Sequence, residues 1–160
     1  MEPEKERLSM EVIGSIFQGG GREGDFGWMI RQPECADALF LFNDNEEQFL
    51  AHRQHPDGGP GCDRGGGNAV IRPFQCENPP RAIGIPTGSR GSGYPSLTAH
   101  VKKTIDDALA AIQGLLATGR YRRVFYSAAN SAGDLGTGIF DVGDDVKRYI
   151  TDGIKKLAPK

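Results

Sequence analysis

Ala36-Asp37-Ala38-Leu39-Phe40-Leu41-Phe42-Asn43-Asp44-Asn45 is the stretch on which the fold turns. Its apolar run is nearly continuous instead of alternating, the pattern of a strand covered on both faces, and it stops abruptly at three polar side chains. Such a strand belongs at the centre of a sheet with a layer packed on each side. Arg81-Ala82-Ile83-Gly84-Ile85-Pro86 and Arg123-Val124-Phe125-Tyr126-Ser127 repeat the pattern, and each runs into a polar or glycine-rich loop. Met10 to Phe17 reads as an opening strand, and Phe26 to Arg31, with Trp28, as a returning one.

The helices follow from periodicity. Leu97, Val101, Ile105, Ala108, Leu109, Ile112, Leu115 and Leu116 recur at helical spacing between Pro95-Ser96 and Gly119, which predicts a helix over Ser96 to Leu116. A last helix is expected from Asp144 to Leu157, with acids at its start and Lys155 and Lys156 at its end. Glu46 to His52 reads as a short helical segment, and Ala69-Val70-Ile71 begins either a helix or a strand before Pro73 ends it. Strands alternating with helices imply a single α/β domain over residues 10–160, after a polar leader over 1–9, with a mixed, mainly parallel sheet flanked by helices. Loops after parallel strands share one rim, where ligands of such sheets lie.

Three glycine-rich turns fall in the chain: Asp63 to Asn68, Pro86 to Tyr94 and Gly133 to Phe140. Backbone amides at a helix start hold phosphate or carboxylate, which makes a nucleotide-like ligand the leading expectation; tight connection alone is the competing explanation for each turn. A net charge of -2 and no basic stripe argue against DNA or RNA as partner. No apolar stretch reaches the roughly 20 residues a membrane helix needs, so a cytoplasmic protein without a membrane partner is expected. Cys35, Cys62 and Cys76 are odd in number and irregular in spacing, which predicts reduced thiols. His52, His55, Cys62 and Cys76 offer nitrogen and sulfur ligands but no Cys-x-x-Cys pair, so neither a metal nor another cofactor is expected.

The order of segments resembles that of macro domains. Glu11 to Ile16, including Ser15 and Ile16, is similar to the family's opening strand and its Gly-Asp-Ile turn. Leu41 to Asn45 is similar to its Val-Asn-Ala-Ala-Asn strand end, and Gly65-Gly66-Gly67-Asn68-Ala69-Val70-Ile71 to the triple-glycine turn after it. Ile83 to Pro95 resembles the strand and diphosphate loop reading Pro-x-Ile-Ser-Thr-Gly-Ile-Tyr-Gly-Tyr-Pro. Leu135 to Phe140 resembles that loop locally too, but leaves too little chain for a final strand, so the earlier registration is preferred. Ser15 stands where the family carries the acid that receives the adenine amino group.

The resemblance implies a module that binds ADP-ribose or another NAD-derived nucleotide. Asn43 and Asn45 are then candidates for ribose hydroxyls, against a turn or cap role before Glu46. Gly65, Gly66, Gly67, Asn68 and Arg72 form one candidate wall; Thr87, Gly88, Ser89, Arg90, Gly91, Gly93 and Tyr94 are candidates for the diphosphate. Tyr126 and Phe140 are candidate base-stacking surfaces. No nucleophilic triad is evident, so a hydrolase acting on ADP-ribosyl or ADP-ribose phosphate groups would use Asn43, Asp44 or Asn68 to position water. A reader that only holds the nucleotide, and a protein-interaction module, are the non-enzymatic alternatives. Phe17, Phe26, Trp28 and Met29 among the front loops suggest a homo-oligomer.

Overall fold

The central position expected for the Ala36–Phe42 run is the one it occupies. In the computed structural model, which describes residues 10–138 and 141–157, β1 (Glu11–Ile16), β2 (Ala38–Asn45), β3 (Ala82–Ser89), β4 (Ser92–Gly93) and β5 (Arg123–Ala128) form one sheet in the order β1-β5-β2-β3-β4. β1, β5, β2 and β3 are mutually parallel and the short β4 pairs antiparallel with β3. The sheet is mixed and mainly parallel, as read, and the carboxyl ends of β2, β3 and β5 share one rim.

Alternation along the central strands sorts the core. Leu39 and Leu41 with Ile83, Ile85, Val124 and Tyr126 face α3 (Ala99–Leu116) and α4 (Asp144–Lys155) through Val101, Ile105, Ala108, Ile112, Val146, Ile150 and Ile154. Phe40 and Phe42 with Ala38, Ala82 and Phe125 face the other way, onto Phe26, Met29 and Ile30 of the front segment and onto Ala69 and Ile71. That second layer consists of α1 (Phe26–Met29) and 3-10 turns at Pro33–Cys35, Pro60–Cys62 and Gly67–Cys76, while the helix α2 (Glu46–Gln54) buries its Phe49 in the first cluster. Phe40 stacks on Phe125 at 5.1 Å between ring centroids and meets Phe26 edge-on at 5.1 Å.

Several local expectations need correction. Phe26 to Arg31 is not a strand, because Asp25 caps a helical turn there, accepting the Trp28 amide at 3.4 Å. The long helix starts three residues later than expected, at Ala99 instead of Ser96, since Thr98 is its N-cap and its hydroxyl takes the Val101 amide at 3.2 Å. Ala69-Val70-Ile71 lies within a 3-10 helix that spans Pro73, a helix type whose short turns tolerate the missing N–H. Cys62 and Cys76 are joined in a disulfide with 5.9 Å between Cα atoms, which overturns the expectation of reduced thiols for that pair and occupies both sulfurs of the conceivable metal set. Cys35 is free and buried, and burial pushes its thiol up. Among the described residues no helix is long and apolar enough to cross a membrane.

Candidate functional site

A crevice of about 280 Å³ opens at the carboxyl ends of the parallel strands. Three segments wall it: Asn43 to Asn45 at the end of β2, Arg64 to Asn68 in the triple-glycine turn, and Gly136 to Gly138 in the loop that follows β5. Ser127, at the end of β5, Gln48, Ala69 and Arg72 complete the lining. Asn43 ties two of the walls together, its Nδ2 donating to the Gly136 carbonyl at 2.6 Å.

The side chains expected to do chemistry are largely committed to holding this shape. Asn45 caps α2: its Oδ1 accepts the Gln48 amide at 2.8 Å and its Nδ2 donates to Gln48 Oε1 at 2.7 Å, so the cap role prevails over a ribose role. Asn68 anchors the glycine turn to the front segment, accepting the Phe26 amide at 3.0 Å and donating to the Gly24 carbonyl at 3.3 Å. Asp44, 1% exposed, takes Arg72 Nε at 3.1 Å and Nη2 at 2.8 Å on one oxygen, and Arg72 Nη1 reaches the Asp63 carbonyl at 2.9 Å. The guanidinium therefore clips the glycine turn to the end of β2, and Arg72 also lines the crevice. Burial pushes the Asp44 carboxyl above its ordinary range, against the pull of Arg72.

The free oxygen of Asp44 is buried with no hydrogen-bond partner among the described residues, and it lies against Gly84 of β3. A Cβ at Gly84 would sit 2.6 Å from it, so only glycine lets the neighbouring strand close over the carboxylate. Gln75 bridges the same region, its Oε1 accepting the Gly84 amide at 3.2 Å and its Nε2 donating to the Gly61 carbonyl at 2.7 Å.

The expected diphosphate loop lies elsewhere. Thr87 is fully buried, and Gly88 and Ser89 pair with Gly93 and Ser92 in a hairpin whose two turn residues, Arg90 and Gly91, have φ of 55° and 79°. Glu47 closes this hairpin: its carboxylate accepts the Ser89 hydroxyl at 2.5 Å and the Arg90 amide at 3.1 Å. The bond from Ser89 holds the Glu47 carboxyl below its ordinary range. Tyr94 is buried and donates to Glu46 Oε1 at 2.6 Å. None of these residues lines the crevice; the Ser89 hydroxyl, the Arg90 amide and the Tyr94 hydroxyl are spent on acids at the start of α2, and the Thr87 hydroxyl on the Asp44 carbonyl.

Tyr126 is likewise a core residue, its hydroxyl donating to the Gly133 carbonyl at 2.7 Å, and Ser15 is buried with its hydroxyl toward Met29 Sδ at 3.7 Å. Ile16 sits outside the crevice, in a groove behind the Gly136–Gly138 turn. Phe140 lies outside the described residues. Sequence reading did not single out Arg64, Gln48 or Ser127. Ser127 carried a signal, as the first polar residue after an apolar strand run; Arg64, exposed beside a glycine turn, carried none that separates it from an ordinary surface cation. Among the described residues no cluster of three His, Cys, Asp or Glu side chains is placed to hold a metal ion.

No family model, curated protein or solved structure matches this chain.

Proposed function

We propose that the domain binds an ADP-ribose-like or other NAD-derived nucleotide in this crevice and holds it without turning it over. The observation that carries the reading is the convergence of the β2 end, the Gly65–Asn68 turn and the Gly136–Gly138 loop at one rim of parallel strands, the place where such sheets bind ligands. The 3-10 helix that starts at Gly67 has no side-chain cap, which leaves its first turn available to an anion. The resemblance to macro domains fits better with the loop that begins at Leu135 as the diphosphate loop than with Thr87 to Gly93, because it follows the parallel strand β5 and its Gly136–Gly138 turn lines the crevice.

Retention is favoured over hydrolysis by the state of the three candidate water-positioning groups. Asp44 is paired and buried, Asn68 uses both ends of its amide on backbone, and Asn43 uses its amino group on Gly136. Calorimetric titration with ADP-ribose, NAD and nucleoside diphosphates is the test. Thr137→Glu, which adds a negative charge to the loop, is expected to weaken binding at least tenfold, and recovery of intact ligand from the denatured complex separates holding from turnover. A parent protein that binds none of these compounds ends the reading.

Self-association is a further proposal with a narrower base than the sequence offered. Phe26 and Met29 are buried within the chain itself, which leaves Phe17 and Trp28, 62% and 41% exposed, for a second copy to cover. Light scattering of the purified protein decides it.

A further inference from the structure

The triple-glycine wall of the crevice lies inside a covalent ring. Cys62 ends the 3-10 turn Pro60–Cys62, Cys76 ends the 3-10 helix Gly67–Cys76, and the disulfide joins them across a sequence separation of 14. Arg64 to Asn68, one of the three walls, falls between the two cysteines, and so does Arg72, which clips that wall to β2. The arm that carries Arg64 to the crevice has few other ties. Upstream it continues into the largely exposed stretch from His55 to Pro60, and Asp63 and Arg64 are themselves exposed. Among the described residues, the one bond that reaches these two from outside the arm runs from Arg72 Nη1 to the Asp63 carbonyl. At the cysteine end, Gln75 Nε2 donates to the Gly61 carbonyl.

The rest of the domain does not depend on this crosslink. Neither cysteine of the pair belongs to the aliphatic core or to the Phe26, Phe40 and Phe125 cluster, and a chain of 160 residues buries enough apolar surface to fold without a staple. Opening the ring is therefore a local event, confined to the wall and its arm. Cys62 and Cys76 are half-buried at the surface, where a small dithiol can reach them. Cys35 is buried in the aromatic cluster, so no third thiol competes for the pairing.

We propose that Cys62–Cys76 is a redox latch on the crevice: the disulfide holds the Arg64–Asn68 wall against the end of β2, and its reduction releases the wall and weakens ligand binding. The effect on affinity rests on the nucleotide reading of the crevice, whereas the release of the wall does not. The reductant is a dithiol. One of its thiolates attacks one sulfur of the pair, the Cys62–Cys76 bond breaks, and the departing thiolate takes a proton. The second thiol of the reductant then displaces the mixed disulfide, so two electrons and two protons pass to the chain and the dithiol leaves as a disulfide. Reoxidation is the same exchange with oxidised glutathione, which leaves as two thiols. A crosslink excludes the open conformations of the segment it closes, and its loss restores them.

The test compares the full chain, oxidised and in dithiothreitol, by trypsin cleavage and by ADP-ribose titration. Arg64 is the one tryptic site inside the ring, because the other cation there, Arg72, precedes Pro73. Reduction is expected to speed cleavage after Arg64 at least tenfold, with cleavage after Lys103 on α3 and the far-ultraviolet spectrum unchanged. ADP-ribose affinity is expected to fall about tenfold, and oxidised glutathione restores both readings. The double variant Cys62→Ser with Cys76→Ser behaves as the reduced parent in either buffer. Equal cleavage after Arg64 in the two states overturns the latch, as does ADP-ribose affinity that reduction leaves unchanged. Loss of the native spectrum on reduction overturns it too, by making the disulfide a staple of the whole fold. A parent that binds no ADP-ribose in either state ends the nucleotide reading, and cleavage after Arg64 then decides the release of the wall by itself.

Discussion

The two faces of the sheet are held by different means. On the face of α3 and α4, aliphatic side chains at helical spacing interlock with Leu39, Leu41, Ile83 and Ile85, and the contacts are regular and dry. On the opposite face the covering layer is short helical turns, and beyond the Phe26, Phe40 and Phe125 cluster it is fastened by named polar links: Arg72 to Asp44 and Asp63, Gln75 to Gly84 and Gly61, Asn68 to Phe26 and Gly24, and the Cys62–Cys76 disulfide. The crevice is built from the second kind of material. A packed helix contributes stability over its whole length, whereas a glycine-rich wall that presents backbone to a ligand has few side chains to pack and is held in place by hydrogen bonds and ion pairs.

The sharpest way to test this contrast is to put a charge into the dry face. Ile105 is fully buried in α3, and Ile105→Asp places an unpaired carboxylate among aliphatics, so this variant is expected to be unfolded at room temperature. Far-ultraviolet circular dichroism reads the outcome; a native spectrum with an unchanged melting point would mean that α3 does not supply the core.

On the polar face the corresponding cut is Arg72→Met. It leaves Asp44, whose side chain is 0% exposed, as a buried carboxylate without its cation, and a loss of about 3–5 kcal/mol is expected from urea unfolding. The double variant Arg72→Met with Asp44→Leu removes both charges and should recover most of that loss, because an apolar pair of similar bulk often replaces a buried ion pair without penalty. A single variant within about 1 kcal/mol of the parent would show that the clip is not what fastens the wall.

The same contrast explains what the chain discloses before it is folded. The dry face was legible because burial imposes a period on the sequence: β2, β3, β5, α3 and α4 all fall where apolar spacing puts them, with shifts of a few residues at caps set by Thr98 and Asn45. The polar face imposes no period. Arg72 and Asp44 are 28 residues apart in sequence and look like surface charges until the fold brings them together, and Asp25 as a cap stands at the end of a glycine-rich loop, just before a segment that reads as a strand. The Thr87–Tyr94 loop misled for a related reason: glycines and hydroxyls suit both an anion cradle and a two-residue hairpin, and the acids that satisfy its donors, Glu46 and Glu47, lie in another element. The crevice was partly legible for the opposite reason, since Asn43–Asn45 and the Gly136–Gly138 turn interrupt the apolar pattern where the parallel strands β2 and β5 end, and the Gly65–Asn68 turn stands out by its glycines alone.

The smallest expected effect concerns acid sensitivity, and it too should belong to the polar face. His52 on α2 is packed under Gly61, where a Cβ would come within 2.6 Å of the His52 backbone, and its Nε2 is buried with no hydrogen-bond partner among the described residues. Burial holds the imidazole below its ordinary value of 6.5, outweighing the opposite pulls of a bond to the Gln75 backbone and of Asp44 and Asp57. Unfolded His52 therefore takes up its proton near pH 6.5 while the folded imidazole stays neutral to lower pH. Between those two points the unfolded chain binds more protons, so stability rises with pH there and falls as the solution is acidified through that window. Urea unfolding at steps from pH 7.5 to 5 should show this decline in the parent and a shallower one in His52→Gln. A slope that His52→Gln leaves intact would place the acid-sensitive group elsewhere and remove pH dependence from the list of differences between the two faces.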